Sequence, residues 1–283
     1  LNNNKISKCG IIEIRDIVLQ KNSSIHTFGP VLEPGNWKKN DPFLIMMEDK
    51  FQRGAFDVHP HRGMETVTYV IDGAIEHYDS YTGESGILGV GDVQWMTAGS
   101  GVVHNEVPPE GVVTHSLQLW VNLPRKKKMT TPRYQNLKRD DMPVRKEKGA
   151  LIRVFSGSSK DVVATTLNHV PVTMVEVIME QGASVAQNFP SSYNGFIYIL
   201  EGSGMFGINK VTASKGQVLW LDTDKRSQES EIEMTANEPL RLLIYAGEPL
   251  NEPVVARGPF VMNTEEDIFQ AYQEFKQGTF LKH

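Results

Sequence analysis

The feature that most narrows what this chain can fold into is a strand-rich pattern written twice. "TYVIDG", Thr68 to Gly73, is echoed by "IYILEG", Ile197 to Gly202, and "VGDVQWM", Val90 to Met96, is echoed by "KGQVLWL", Lys215 to Leu221. Around them lie short runs rich in β-branched and aromatic residues, such as "AIEHYD", "VTMVEVIM" and "LRLLIYA", broken by Gly, Asp and Asn. Each half therefore reads as one strand-rich unit. Asp72-Gly73 between two such runs is a hairpin signal. Between the halves, "NLPRKKKMTTPRYQNLKRDDMPVRKEKGA" is polar, charged and proline-interrupted, and it reads as an inter-domain connection with little strand pattern. Its basic run, Arg125 to Lys128, reads as a solvated linker face. Near the end, "NTEEDIFQAYQEFKQG" predicts a helix capped at Asn263 or Thr264, with Ile268, Phe269, Tyr272 and Phe275 at helical spacing for packing on the sheets.

The composition excludes several classes. With 29 basic and 34 acidic residues the chain is mildly negative, which argues against direct nucleic-acid binding. One cysteine, Cys9, permits no internal disulfide and reads as an ordinary thiol. No stretch reaches the roughly 20 apolar residues that span a bilayer. The start, "LNNNKISKCG", lacks a signal-peptide apolar region, so no membrane is expected as a partner and a cytoplasmic location is. Because the chain begins at Leu1, a trimmed native start is also expected. There is no Ser-His-Asp context, Gly-rich phosphate loop or Cys-x-x-Cys pair to support a hydrolase or nucleotide reading.

The chemistry concentrates in "HPHRGMETVTY" and "GSGVVHNEV". Side chains two apart on a strand share a face, so His59 and His61 form one pair and His104 and Glu106 a second. A lone His-x-His on a strand proves little, since buried histidines are often plain core residues. Two such pairs in one unit, with Gly-rich turns placed to fold one over the other, point to a metal site of three imidazoles and one carboxylate. The spacing does not select among iron, manganese, cobalt, nickel, copper and zinc. Pro60 cannot donate to a sheet ladder, so its stretch should start or edge a sheet. Strand alternation would put Glu65 on the face of His59 and His61, as an additional ligand or, more in keeping with its context, a supporting residue. His26, His77, His115 and His169 have no partner at ligand spacing and read as structural or exposed. Trp95, Met96 and Trp120 read as core before pocket, although aromatics near a metal could also contact a flat substrate.

At this point the sequence resembles the pirin family, a branch of the cupins. "HPHRGMETVTYVIDG", "GDVQWMTAGSGVVHNE", "LQLWVNLP" and "AGEPLNEPVVARGPFVMNT" look like pirin segments in pirin order, from near Asp41 to the final helix. The resemblance implies an all-β fold of two tandem cupin-type β-barrels, a bicupin, with a short C-terminal helix. The expected division is an N-terminal barrel with the metal site over residues 1–130 and a C-terminal barrel without metal ligands over 131–283, carrying that helix. It implies one divalent transition metal ion, iron(II) foremost, held by His59, His61, His104 and Glu106. Sliding the echoed segments over each other puts Asn188, Pro190, Glu229 and Glu231 at the corresponding places of the second half, none of them histidine. The gap from Gly91 to His104 is longer than the general cupin motif has, and the "MTAGSG" of the pirin version accounts for it.

For function the resemblance implies two readings. One is an enzyme of the quercetin 2,3-dioxygenase type, acting on a flavonol-like aromatic substrate with dioxygen, in which Glu106 is the catalytic base. The other is an iron-dependent, redox-sensitive module that regulates a protein partner.

Overall fold

In a computed structural model the described residues are 6–79, 83 and 85–281. Strands dominate and fall into two compact units whose membership does not follow chain order. One contains Leu19–Asp141 with Leu250–His283, the other Leu1–Val18 with Met142–Pro249. Two barrels of cupin type were expected, and two strand-built units are found. The division was expected at residue 130; in the grouping into compact units each terminal segment falls with the opposite half of the chain.

For the N-terminal segment the physical reason lies at sheet edges, where unpaired N–H and C=O groups recruit whatever strand can reach them. In the second unit, Gly10–Asp16 pairs antiparallel with Gln217–Asp222 at the end of a seven-stranded sheet. Ile6–Lys8 pairs in parallel with Glu229–Ala236. The core there is almost wholly aliphatic, with Val154, Val175, Val177, Ile197, Leu219, Ile232, Leu242 and Ile244 at its centre. Cys9 belongs to that core, and burial pushes its thiol up to about 12. It is an inert packing residue, as its isolation in the sequence predicts.

The first unit is built mainly on two sheets, with a small two-stranded one, Val255–Arg257 with Phe260–Met262, in its C-terminal segment. Its seven-stranded sheet runs in the order Arg133–Leu137, Val93–Thr97, Met64–Asp72, Thr114–Asn122, Phe43–Phe51, His26–Leu32, Gln20–Ser23. Its four-stranded sheet runs His59–His61, Val102–Val107, Ile75–Asp79, Ser85–Leu88. The presumed connection is thus woven into both units: Arg133–Leu137 pairs with Val93–Thr97, and Val144–Glu147 pairs with Ala150–Ser156. Of its basic run, Arg125, Lys126 and Lys127 are exposed as expected, whereas Lys128 is buried. Its Nζ donates to the carbonyls of Gly63 (2.7 Å) and Val261 (2.9 Å) and to Asn122 Oδ1 (2.6 Å).

Asp72-Gly73 makes a turn but not a hairpin. The strands on either side of it pair with other partners and lie in different sheets. The turn passes the chain from one sheet to the other, and Gly73 is required there. It has φ +78°, and a Cβ would sit 2.6 Å from the Val113 carbonyl oxygen.

The helix Glu265–Gln277 starts at Thr264 with a capping box to Asp267, and Gly278 ends it in the left-handed conformation. Ile268 and Ala271 pack on Phe260, Met262 and Phe280. Phe269, expected to be buried, is 66% exposed, because the buried stripe is narrower than the apolar spacing suggested. No described helix is long and apolar enough to cross a membrane.

Candidate metal centre

His59 and His61 bound a three-residue strand at the edge of the four-stranded sheet, where Pro60 was expected to sit. The neighbouring strand Val102–Val107 runs antiparallel to it with His104 directly opposite His59. Two-residue alternation and cross-strand register together bring three imidazoles to one face. Their ring centroids are 4.8 Å (His59–His61), 4.7 Å (His59–His104) and 5.1 Å (His61–His104) apart. One nitrogen from each lies within 4.8 Å of the others.

The state of these nitrogens fits a metal. His59 Nδ1 donates to the Asp57 carbonyl at 2.8 Å, which leaves the Nε2 lone pair free for a ligand. His61 and His104 are buried, and no ring nitrogen of either has a hydrogen-bond partner. Orphaned buried polar atoms of this kind need an explanation, and a cation that accepts their lone pairs supplies one. Burial, reinforced by the neighbouring imidazoles, holds both rings well below the usual histidine range. They are therefore neutral at pH 7, the form in which imidazole ligates.

Glu106 lies on the same strand, two residues beyond His104, but its carboxylate is outside the histidine cluster. Oε1 accepts from Thr68 Oγ1 at 3.1 Å and Oε2 from Gln118 Nε2 at 2.8 Å. Both donors come from central strands of the larger sheet, which draws the carboxylate toward that wall. Trp120 Nε1 donates to Gln118 Oε1 at 3.2 Å, and the Trp120 ring meets His61 edge-on at 5.3 Å. Trp120, expected in the core, is thus a wall of the site.

Glu65 is not brought to the histidines. The chain turns at Arg62-Gly63 between the strand of His59 and His61 and the strand of Glu65, so alternation does not carry across. Gly63 has φ +82°, and a Cβ there would sit 2.0 Å from the Val261 carbonyl oxygen. Glu65 is fully buried and accepts from Thr97 Oγ1 at 2.7 Å, a supporting role as expected. Burial pushes its carboxyl up to about 7 against the pull of Thr97 and Trp95.

Other histidines are closer to the site than their spacing suggested. His77 stands opposite Glu106 in the ladder, with its ring 5.7 Å from that of His104 and 4.4 Å from that of Tyr134. His26 is buried and bonded through Nε2 to Asp49 Oδ1 at 2.7 Å. The i, i+2 pairing that exposes metal ligands carries no signal for either. His115 is structural, tied to Glu48 at 2.6 Å.

Part of this cluster opens onto a cavity of about 480 Å³. His59, His61 and Glu106 line it together with Thr68, Gln118 and Trp120, and Ile45, Met47, Phe28, Phe51, Phe56 and Ile75 make apolar walls. Gly258 and Pro259, from the C-terminal segment, complete the lining.

In the second unit, Asn188 faces Glu231 and Pro190 faces Glu229 across a strand pair. Glu231 is held by Lys8, and Glu229 accepts from the Asn188 amide.

Comparison with known proteins agrees with this architecture. Residues 17–121 match the family model for Pirin and residues 174–281 that for the Pirin C-terminal cupin domain. A pirin-like protein of Solanum lycopersicum is 40% identical over 250 residues, which is 84% of this chain and 81% of that protein. Among solved structures, GK1651 from Geobacillus kaustophilus is 60% identical, with TM-score 0.87 over 88% of this chain and 100% of that one. Quercetin 2,3-dioxygenase from Acinetobacter baumannii is 29% identical, with TM-score 0.85 over 97% of this chain and 99% of that one. With both cupin domains matched in order and a histidine cluster in the first, this chain belongs to the pirin family.

Proposed function

We propose that this chain is a metal-dependent oxidoreductase of the quercetin 2,3-dioxygenase type, which cleaves a flavonol-like substrate with dioxygen. The observation that carries the reading is the cavity: one pocket of about 480 Å³ brings together metal-competent imidazoles, a carboxylate and flat apolar walls. That volume is in the range of small-molecule sites, roughly 300 Å³ or more. The likeness to a structure named quercetin 2,3-dioxygenase supports the same class.

His59, His61 and His104 would hold one divalent transition metal ion, iron(II) in this reading. A metal there would acidify a coordinated enol hydroxyl and make the aromatic substrate a better electron donor to dioxygen. Glu106 is assigned as the base that takes the proton of the substrate's 3-hydroxyl on a carboxylate oxygen, giving up its bond to Thr68 or Gln118. Ligation of the metal by Glu106 in its resting state belongs to the same proposal. Trp120 orients the substrate ring beside His61, and the apolar walls exclude water.

The test is oxygen uptake on adding quercetin to iron-loaded protein, run beside His104→Ala and Glu106→Gln. Uptake stoichiometric with flavonol loss, absent in His104→Ala and strongly reduced in Glu106→Gln at near-normal metal content, is the expected result. Full turnover by Glu106→Gln would remove the base assignment. No uptake by fully loaded wild type would overturn the enzyme reading and favour a redox-sensitive binding module.

A further inference from the structure

The cavity has a second polar pole that the metal chemistry does not use. Strand Phe43–Phe51 runs along one wall, and its alternate residues Ile45, Met47, Asp49 and Phe51 all line the pocket. Ile45 is paired with Trp120, the residue against His61, while Asp49 is paired with Ser116 and Phe28. Four residues of strand separate the two, roughly 13 Å of wall. Asp49 is therefore displaced from the histidine cluster along the pocket, beyond Met47, whose partner Gln118 holds Glu106.

At that far end the polar groups are built and buried. His26 is only 8% exposed and Asp49 13%. Asn22 Nδ2 lies 3.1 Å from His26 Nδ1, and His26 Nε2 lies 2.7 Å from Asp49 Oδ1. With the Asn22 amide donating to Nδ1, the imidazole carries its proton on Nε2 and donates it to Asp49. His26 is thereby saturated and its orientation is set, with Phe56 edge-on at 4.9 Å and Phe28 at 5.7 Å. Asp49 uses one oxygen on His26, and its carboxylate has an oxygen left to accept from the cavity it lines. Phe28, Phe51 and Phe56 line the same cavity, with Asn22 and Ser116, so that oxygen favours a ligand that brings its own donor.

We propose that Asp49, positioned by His26, is the specificity-determining residue of this pocket and accepts a hydrogen bond from a phenolic hydroxyl on the substrate ring distal to the metal. The assignment rests on the flavonol-type reading above. It adds that the preferred substrates carry a hydroxyl on the pendant ring. Ligands with an anionic group at that end are repelled by the Asp49 carboxylate.

The substitution that tests it is Asp49→Asn. The amide oxygen can still accept from His26, so the pair and the packing are retained, while the pocket-facing atom changes from acceptor to donor. The measurement is anaerobic equilibrium binding, by flavonol fluorescence and absorbance, to nickel-loaded full-length protein. The probes are 3-hydroxyflavone, 3,4′-dihydroxyflavone and 3-hydroxy-4′-methoxyflavone.

Wild type is expected to bind the 4′-hydroxy compound about tenfold more tightly than the unsubstituted one. In Asp49→Asn the amide can donate to either 4′ oxygen, so the 4′-methoxy compound should gain and the preference for hydroxy over methoxy seen in wild type should be lost. Binding of 3-hydroxyflavone should stay within about twofold of wild type, a pattern that general loosening of the pocket would not produce. Equal binding of all three by wild type, or an unchanged preference for the 4′-hydroxy over the 4′-methoxy compound in Asp49→Asn, overturns the assignment of Asp49 and leaves the flavonol reading standing. Failure of wild type to bind any of the three overturns the flavonol reading and the assignment with it.

Discussion

Replacing Arg62 with methionine should damage the metal unit far more than its position in a turn suggests. The guanidinium is 2% exposed, next to His61 in the chain. Nε donates to the Ser100 carbonyl at 2.6 Å and Nη2 to the Phe280 carbonyl at 3.2 Å. Nη2 also pairs with Glu274 at 2.7 Å, and the cation lies 4.3 Å from the Phe280 ring centroid. Methionine conserves much of the volume but strands two carbonyls and a largely buried carboxylate. Breaking a buried ion pair from one side costs about 3–5 kcal/mol, most of it the stranded charge. The ring contact contributes about 1 kcal/mol more, partly overlapping, so about 4 kcal/mol is expected overall. At a urea slope of about 2 kcal/mol per molar, the midpoint should fall by about 2 M. Metal affinity should fall with it, because the strand of His59 and His61 is tied to the C-terminal segment through Arg62 and Val261. The assay is urea unfolding followed by tryptophan fluorescence, with bound metal per chain measured on the same samples. Glu274→Gln, whose amide oxygen can still accept from Nη2 and which leaves the Ser100, Phe280 carbonyl and Phe280 ring contacts of Arg62 in place, should cost less. A midpoint shift below about 0.5 M for Arg62→Met, with normal metal content, would refute the argument that this cluster holds the site together.

Three further outcomes follow from the same physics. Lys128→Met leaves the Gly63, Val261 and Asn122 acceptors without a donor and should lower the melting temperature by about 10 °C, and a fall of under about 3 °C would show that water replaces the ammonium at no cost. Glu65 holds a proton in the folded protein up to about pH 7 that the unfolded chain releases near its ordinary value of 4.5, so stability should fall as pH rises through that window. The loss should be about 3 kcal/mol by pH 8 and absent in Glu65→Gln, and parallel pH dependences of the urea midpoint in the two proteins would contradict it. Gly63→Ala must push the turn away from Val261 and should reduce bound metal per chain well below that of wild type, while wild-type content would show that the turn can move without disturbing His61.

What the sequence determined by itself is local. Strand periodicity places His59 with His61 on one face, and Pro60 marks an edge, because both depend only on neighbouring backbone geometry. The helix start at Thr264 was legible for the same reason, and so was the isolation of Cys9. The two-domain β architecture followed from the repeated strand pattern, supported by family resemblance. Tertiary structure decided everything that depends on which distant segments meet. Glu65 is off the histidine face because a turn at Gly63 resets the alternation, and the partners that hold the Glu106 carboxylate, Thr68 and Gln118, come from other strands. The Asp49–His26 pair carries no spacing signal, since the two residues are 23 positions apart and meet only through sheet register. Arg62 reaches Phe280 across 218 positions. The N-terminal segment joins the sheets of the later half because open edges accept a strand with matching hydrogen-bonding groups, and the C-terminal segment is held at Arg62 by Val261, Glu274 and Phe280; chain order records neither meeting.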